Sequence, residues 1–177
     1  MKKQTFILKN HDKEQRDIKI ESSLEIEEKN VKLEFIIRGN LEEYIFAQSA
    51  TKQRANELWK HTCFELFFGD KKRASYIEIN ISPSTAWNIY QFHHHRVFDK
   101  EEASLFHPLI KTLKIEDEYR LLFEHKFDKI PLDKELIFNL AVILLDKNKK
   151  RYFYTIKKKS EEVDFHDKRY WEFLEIN

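Results

Sequence analysis

Apolar and polar residues alternate with a period of two along most of this chain, and that pattern constrains its fold more than any other feature. Ile18 and Ile20 alternate with Lys19 and Glu21, then Leu24 and Ile26 with Glu25 and Glu27. Val31, Leu33 and Phe35 share one side of the next segment, with Lys32 and Glu34 on the other. The same rhythm returns over 62–68, 75–82 and 85–92, and again over 106–115, 118–127, 136–145, 150–157 and 170–176. Residues 4–9 form a short apolar run, and 43–47 read as a further strand. Residues 49–60 lack alternation and read as a loop or short helix, and 93–104 as a polar, histidine-rich connection. Successive side chains of a strand point to opposite faces, so each alternating segment has one face for a core and one for water. Ten or eleven such segments, joined by short polar turns and without strand–helix alternation, predict an all-β fold. The expected architecture is a two-sheet antiparallel β-sandwich of immunoglobulin-like or jelly-roll type, with little helix, as one domain over residues 1–177.

Composition supports the same class. The chain has 18 Ile, 15 Phe and 7 Tyr against 7 Ala, a mix suited to pleated, half-buried surfaces. Two glycines, Gly39 and Gly69, leave no material for a Gly-rich phosphate cradle. Turns must then come from residues such as Asn10, Asn30, Asn40, Asp70 and Asn148, since Asn and Asp tolerate left-handed backbone best after glycine. Basic and acidic residues nearly cancel, 32 against 31, so no global field selects a nucleic acid or an anionic membrane as partner. Cys63 is the single cysteine, which excludes an intramolecular disulfide and suggests a reducing compartment. The apolar run after Lys2-Lys3 is too short for a signal peptide, and Leu140–Leu145 is too short to span a bilayer. A cytoplasmic protein is the expectation.

Residues 59–92 carry the most chemistry. Phe64, Leu66 and Phe68 share one face of their strand, and His61, Cys63, Glu65 and Phe67 the other. In the following strand Ile77, Ile79 and Ile81 share a face, with Glu78, Asn80 and Ser82 opposite. If the two pair as a hairpin, their apolar faces must coincide on the core. One register sets Glu65 opposite Glu78, Cys63 opposite Asn80 and His61 opposite Ser82. A slip by one pair in either direction keeps the same residues within diagonal reach. Two carboxylates this close repel unless a cation, a shared proton or a ligand intervenes. Trp59 precedes the hairpin, and Trp87 and Tyr90 follow it. A polar patch flanked by rings suits a sugar: rings stack on pyranose faces while carboxylates and amides take the hydroxyls. The candidate ligand-binding residues are therefore Trp59, His61, Glu65, Glu78, Asn80, Trp87 and Tyr90. The alternative for each is a solvated outer face, or a core or edge ring.

The segment Leu58-Trp59-Lys60-His61-Thr62-Cys63-Phe64-Glu65-Leu66-Phe67 resembles the hallmark of bacterial DOMON-like domain proteins, as do Tyr76–Ser84 and Ala86–Tyr90. These proteins are similar to carbohydrate-binding module family nine. Asp164-Phe165-His166 matches the group's C-terminal signature. The resemblance implies a β-sandwich. DOMON domains bind sugar or haem, and family-nine modules bind sugar between tryptophans. The methionine that helps ligate haem has no counterpart here, since Met1 is the single methionine, although bis-histidine ligation stays open. No cofactor is expected.

Other constellations are weaker. His93-His94-His95 looks like a metal site, but no HExxH or CxxC supports it, and a solvated histidine-rich loop is the reading adopted. Residues 147–159 hold seven basic residues interleaved with Tyr152, Phe153 and Tyr154, a pattern shared by nucleic-acid strips and by lysine-rich edge strands. Cys63 lacks a helix N-terminus to activate it as a nucleophile. The function expected is a non-catalytic module for a carbohydrate or other small polar ligand. One alternative is a metal-binding protein or metal-dependent enzyme using His61, Glu65 and Glu78. Another is a structural or interaction domain without small ligand. Oligomeric state is not legible in the sequence.

Overall fold

The computed structural model describes residues 3–46, 52–101, 107–128, 135–158 and 162–174. The alternating segments become strands β1 (Gln4–Asn10), β2 (Ile18–Glu27), β3 (Asn30–Gly39), β4 (Cys63–Asp70), β5 (Tyr76–Ile81) and β6 (Trp87–His94). Then come β7 (Val97–Glu101), β8 (Leu109–Ile115), β9 (Glu118–Lys126), β10 (Leu136–Leu145), β11 (Arg151–Thr155) and the short β12 (Glu172–Phe173). Three 3-10 turns, at Leu41–Glu43, Leu58–Lys60 and Lys168–Tyr170, are the helical elements among the described residues. None is long and apolar enough to cross a membrane.

The strands pair antiparallel in the order β7-β6-β5-β4-β10-β11-β1-β2-β3-β9-β8, and β12 adds to β10. Strand β1 makes the corner. Its Gln4–Leu8 pair with β2, and Lys9 and Asn10 pair with β11. One layer is thus β2, β3, β9 and β8, and the other is β7, β6, β5, β4, β10 and β11. The core lies between them. Phe35 of β3 meets Phe64 of β4 at 5.2 Å between ring centroids, and Phe64 stacks on Tyr119 of β9 at 5.8 Å. Each fully buried side chain of this size stabilises the fold by about 1.5–3 kcal/mol.

The two layers differ in what covers their outer faces. Strands β2, β3 and β9 show the alternating pattern of one buried and one wet face. Strands β4, β5 and β10 are buried at every position. The β10 sequence reads as a nearly continuous apolar run because both of its faces are covered.

Three local expectations are corrected. The segment 43–47 is no strand where it is described: it holds a 3-10 turn and one bridge, Tyr44 to Asp146. Residue 47 lies outside the described residues. The histidine-rich segment is no loop over its described part, 93–101. Strand β6 runs on to His94, turns at His95-Arg96 and returns as β7, with Arg96 at φ 57° and register irregularities near Phe92. The left-handed turn positions fall on Glu28, Arg96, Glu116 and Lys149, among others, and not on the asparagines. Asn10, Asp70 and Asp146 act instead through their side chains, accepting from the backbone N–H of Asp12 (2.8 Å), Lys72 (2.6 Å) and Lys150 (2.8 Å). Gly39 does need its lack of a side chain: at φ +124°, a Cβ would sit 2.0 Å from the Asp17 carbonyl oxygen.

Trp87 lies in the inter-sheet core, 3% exposed, with the Arg54 guanidinium over its ring at 4.3 Å. Trp87→Ala is expected to cost about 3–5 kcal/mol of stability, read as a lower urea midpoint at unchanged slope. A loss below ~1 kcal/mol would contradict the core placement.

Candidate ligand-binding cleft

The outer face of the β4–β5–β6 layer carries Cys63, Glu65 and Phe67, then Glu78 and Asn80, then Asn88, Tyr90 and Phe92. The hairpin register is the slipped one. Glu65 stands opposite Asn80, and Glu78 opposite Phe67, so the two carboxyls are diagonal neighbours. On a surface face these residues would be solvated, but Glu65 is 2% exposed and Glu78 5%.

Two segments cover them. The first is 52–60. Glu57, in the left-handed region at φ 61°, turns the chain into the 3-10 turn Leu58–Lys60. Leu58 packs down beside Cys63, Ala86 and Ile143, while Trp59 stays 38% exposed and meets Tyr90 edge-on at 6.2 Å. The second is the C-terminal segment from Val163. Phe165 packs on Phe67 and Phe153, at 6.2 and 5.9 Å, and its carbonyl accepts from the Trp171 indole N–H at 2.9 Å. His166 lies between the rings of Phe67 and Phe92, at 5.0 and 5.3 Å. Lys168 Nζ donates to the carbonyls of Asp70, Arg73 and Ser75 at 2.8–3.2 Å and clamps this segment to the β4–β5 hairpin. Between the two covers a cleft of about 790 Å³ remains. Its walls include Trp59, Tyr90, Phe98, Phe153 and Phe165, and Glu65 and Glu78 lie at its floor.

Hydrogen bonds hold the walls. Asn56 Oδ1 accepts from Asn88 Nδ2 (2.9 Å) and from the Tyr90 hydroxyl (2.8 Å). Asn88 Nδ2 also donates to Glu101 (3.1 Å), and Asn88 Oδ1 accepts from Arg54 (2.9 Å). At the other end Arg96 donates to Asp164 at 3.0 Å, and Asp164 lies 2.6 Å from His95 Nε2. The Tyr76 hydroxyl accepts from the Arg96 N–H at 3.1 Å and is hydrogen-bonded to His166 Nδ1, 2.6 Å away. His166 Nε2 faces Glu78 at 3.8 Å. Burial, and then the Arg96 charge, push His166 down to about 4, so this approach is not an ion pair near neutrality.

The floor is electrostatically unusual. Burial pushes the Glu65 carboxyl well above the ordinary range, and the neighbouring Glu78 pushes it further. Burial raises Glu78 to about 7, against the hydrogen bond from Asn80 Nδ2 (2.8 Å) and the Arg96 charge, which pull it back. The floor thus holds a protonated acid beside a group that titrates near neutral pH, offering one donor and one switchable acceptor. Burial also raises the Cys63 thiol well up, which leaves it inert as a nucleophile.

The structure brings together Trp59, Glu65, Glu78 and Tyr90 at the cleft, with Asn80 beneath them as the donor to Glu78. It places two expected residues elsewhere. Trp87 points into the core, because it and Tyr90 are three apart on one strand and must face opposite ways. His61 ends the 3-10 turn ahead of β4, is exposed, and does not line the cleft. The His61/Glu65/Glu78 metal cluster is therefore not assembled, and no group of three or more His, Cys, Asp and Glu among the described residues is placed to hold a metal ion. Sequence reasoning missed Asn56, Arg96, Phe98, Glu101, Arg151, Phe153, Phe165 and His166. Only Phe165 and His166 carried a signal, the Asp164-Phe165-His166 motif.

No protein-family model matches the sequence, and neither does any curated protein. Solved structures share the fold. A candidate carbohydrate-binding protein from Bacteroides uniformis matches with a TM-score of 0.68 at 11% identity, over 97% of this chain and 84% of that one. A family-nine carbohydrate-binding module from Caldicellulosiruptor kristjanssonii, solved with cellotriose, matches with a TM-score of 0.51 at 15% identity, over 86% and 72% of the two chains. A structure of such a module with glucose gives 0.51 at 13% identity, over 90% and 88%.

The buried groups set an expected pH profile. His166 and His125, both held near 4, bind fewer protons folded than unfolded and add stability as pH rises from 4 to 6.5. Glu65 and Glu78 bind more protons folded than unfolded, so their contribution falls as pH rises above the unfolded value. Between pH 6.5 and 8 the unfolded histidines give up the last of their protons and Lys168, lowered to about 8, begins to lose its own, so these groups add stability while the glutamates remove it. Relative to Glu65→Gln/Glu78→Gln, the wild type is expected to lose stability by on the order of 1 kcal/mol over that window. Urea denaturation of both proteins at several pH values reads this, and parallel profiles would contradict the buried pair.

Proposed function

We propose that the chain is a non-catalytic module that binds a carbohydrate in this cleft. The observation that carries the reading is the cleft itself, in which rings of Trp59, Tyr90 and Phe153 stand around a floor of buried polar groups. Rings take the C–H faces of a pyranose, while the floor carboxyls and the wall amides take its hydroxyls. The shared fold with family-nine modules solved with cellotriose and glucose supports it. So does the resemblance of residues 58–90 and 164–166 to DOMON-like proteins.

Trp59 offers an exposed ring at the site, and Tyr90 is held by Asn56 at its edge. Titration of glucose, cellotriose and a wider neutral panel by calorimetry is expected to give saturable binding to at least one member. Trp59→Ala is expected to weaken it about tenfold or more while leaving thermal unfolding within ~1 kcal/mol of wild type. Absence of saturable binding across the panel, or affinity indifferent to Trp59→Ala, would overturn the reading.

A further inference from the structure

We propose that the preferred ligand is an amino sugar, whose protonated amine takes the place of a missing counter-ion between Glu65 and Glu78. This rests on the carbohydrate reading and narrows it to a saccharide bearing a free amine.

Among the described residues neither floor carboxyl is paired with a lysine or an arginine. Among the described residues no cation is paired with Glu65, whose polar neighbour is the Cys63 thiol. Glu78 has one short bond, from Asn80 Nδ2, and a neutral His166 at 3.8 Å. Asn80, directly opposite Glu65 on the same face, is fully buried, and its Oδ1 has no donor. The two floor carboxyls, with the unpaired Asn80 oxygen beneath them, are thus served by one amide donor and the weak Cys63 thiol. An ammonium group carries three N–H donors and one positive charge, which is the deficit.

The charged groups nearby are engaged elsewhere. From the β6–β7 turn, Arg96 is bound by Asp164 of the C-terminal segment. From β11, Arg151 donates to the Trp59 carbonyl at 3.4 Å and lies over Phe153 at 5.6 Å. From the 52–60 segment, Glu57 is paired with Lys60 at 2.7 Å, and from β7 Glu101 accepts from Asn88. Tyr76 and Tyr90, both raised to about 12, are neutral. The surroundings also favour an organic cation over a metal ion. Ring faces attract a cation by their quadrupole, and desolvation strengthens this attraction. A divalent metal would need three or more protein ligands, and no such group is assembled among the described residues. Without the cation the pair relieves its repulsion by keeping protons, which agrees with the raised Glu65 and Glu78.

The experiment titrates glucosamine, glucose and N-acetylglucosamine into the full chain at pH 7 and pH 5.5. Glucosamine is expected to bind about tenfold or more tightly than the other two at pH 7. The advantage should shrink at pH 5.5, where Glu78 takes up a proton. It should vanish in Glu65→Gln/Glu78→Gln, with circular dichroism checking that the variant is folded. The wild-type comparison among the three sugars stands even if the variant fails to fold. Equal binding of glucose and glucosamine, or a preference that survives the double substitution in a folded protein, would overturn this proposal and leave the carbohydrate reading intact. No binding of any sugar would remove both.

Discussion

Two carboxyl groups buried side by side on the outside of a sheet are the constraint on which the rest of this structure depends. Glu65 and Glu78 occupy positions that the strand pleat assigns to water. They are dry because two segments distant in sequence are folded over them. The 52–60 segment and the C-terminal segment therefore belong to the site as much as the hairpin does. Lys168, clamped on three carbonyls of the β4–β5 hairpin, is the peg that keeps one cover in place.

The covers do different work. The C-terminal segment brings apolar bulk, Phe165 and Trp171, against Phe67 and Ala141, and so turns the outer face into a second, smaller core. It also brings Asp164, which holds the Arg96 guanidinium at the cleft wall. The 52–60 segment brings polar order, with Asn56 gathering Tyr90 and Asn88. Its left-handed Glu57 raises Trp59 at the rim. Between a greasy cover and a polar one lies space the size of a small ligand, above groups whose protonation is unsettled near pH 7.

Much of this was legible in the sequence. Alternation placed the inner faces of β2, β3, β4 and β5 correctly, and it placed Glu65, Glu78 and Asn80 together on the outer face. The register was narrowed to three options, because face matching permits slips of whole pairs, and nothing local chooses among them. Trp87 was misplaced although its parity was readable: position 87 cannot share a strand face with 90. His61 was misplaced because a pleat was extended two residues past the strand start, into a 3-10 turn. Phe165 and His166 were visible as a motif but not as part of the cleft, since their position depends on contacts about 90 residues apart. Strand β7 was hidden because its residues are exposed on an edge and show no alternation of burial. Arg96 was hidden with it, at a turn that uses neither glycine nor asparagine.

The most direct test is a carboxyl-carbon NMR titration of glutamate-labelled protein, with Glu65→Gln and Glu78→Gln used for assignment. Two side-chain carboxyl resonances should stay protonated above the ordinary glutamate range, one of them titrating at about 7. If every glutamate resonance titrated near 4.5, the pair would not be buried and unneutralised, and the account of this cleft would be wrong.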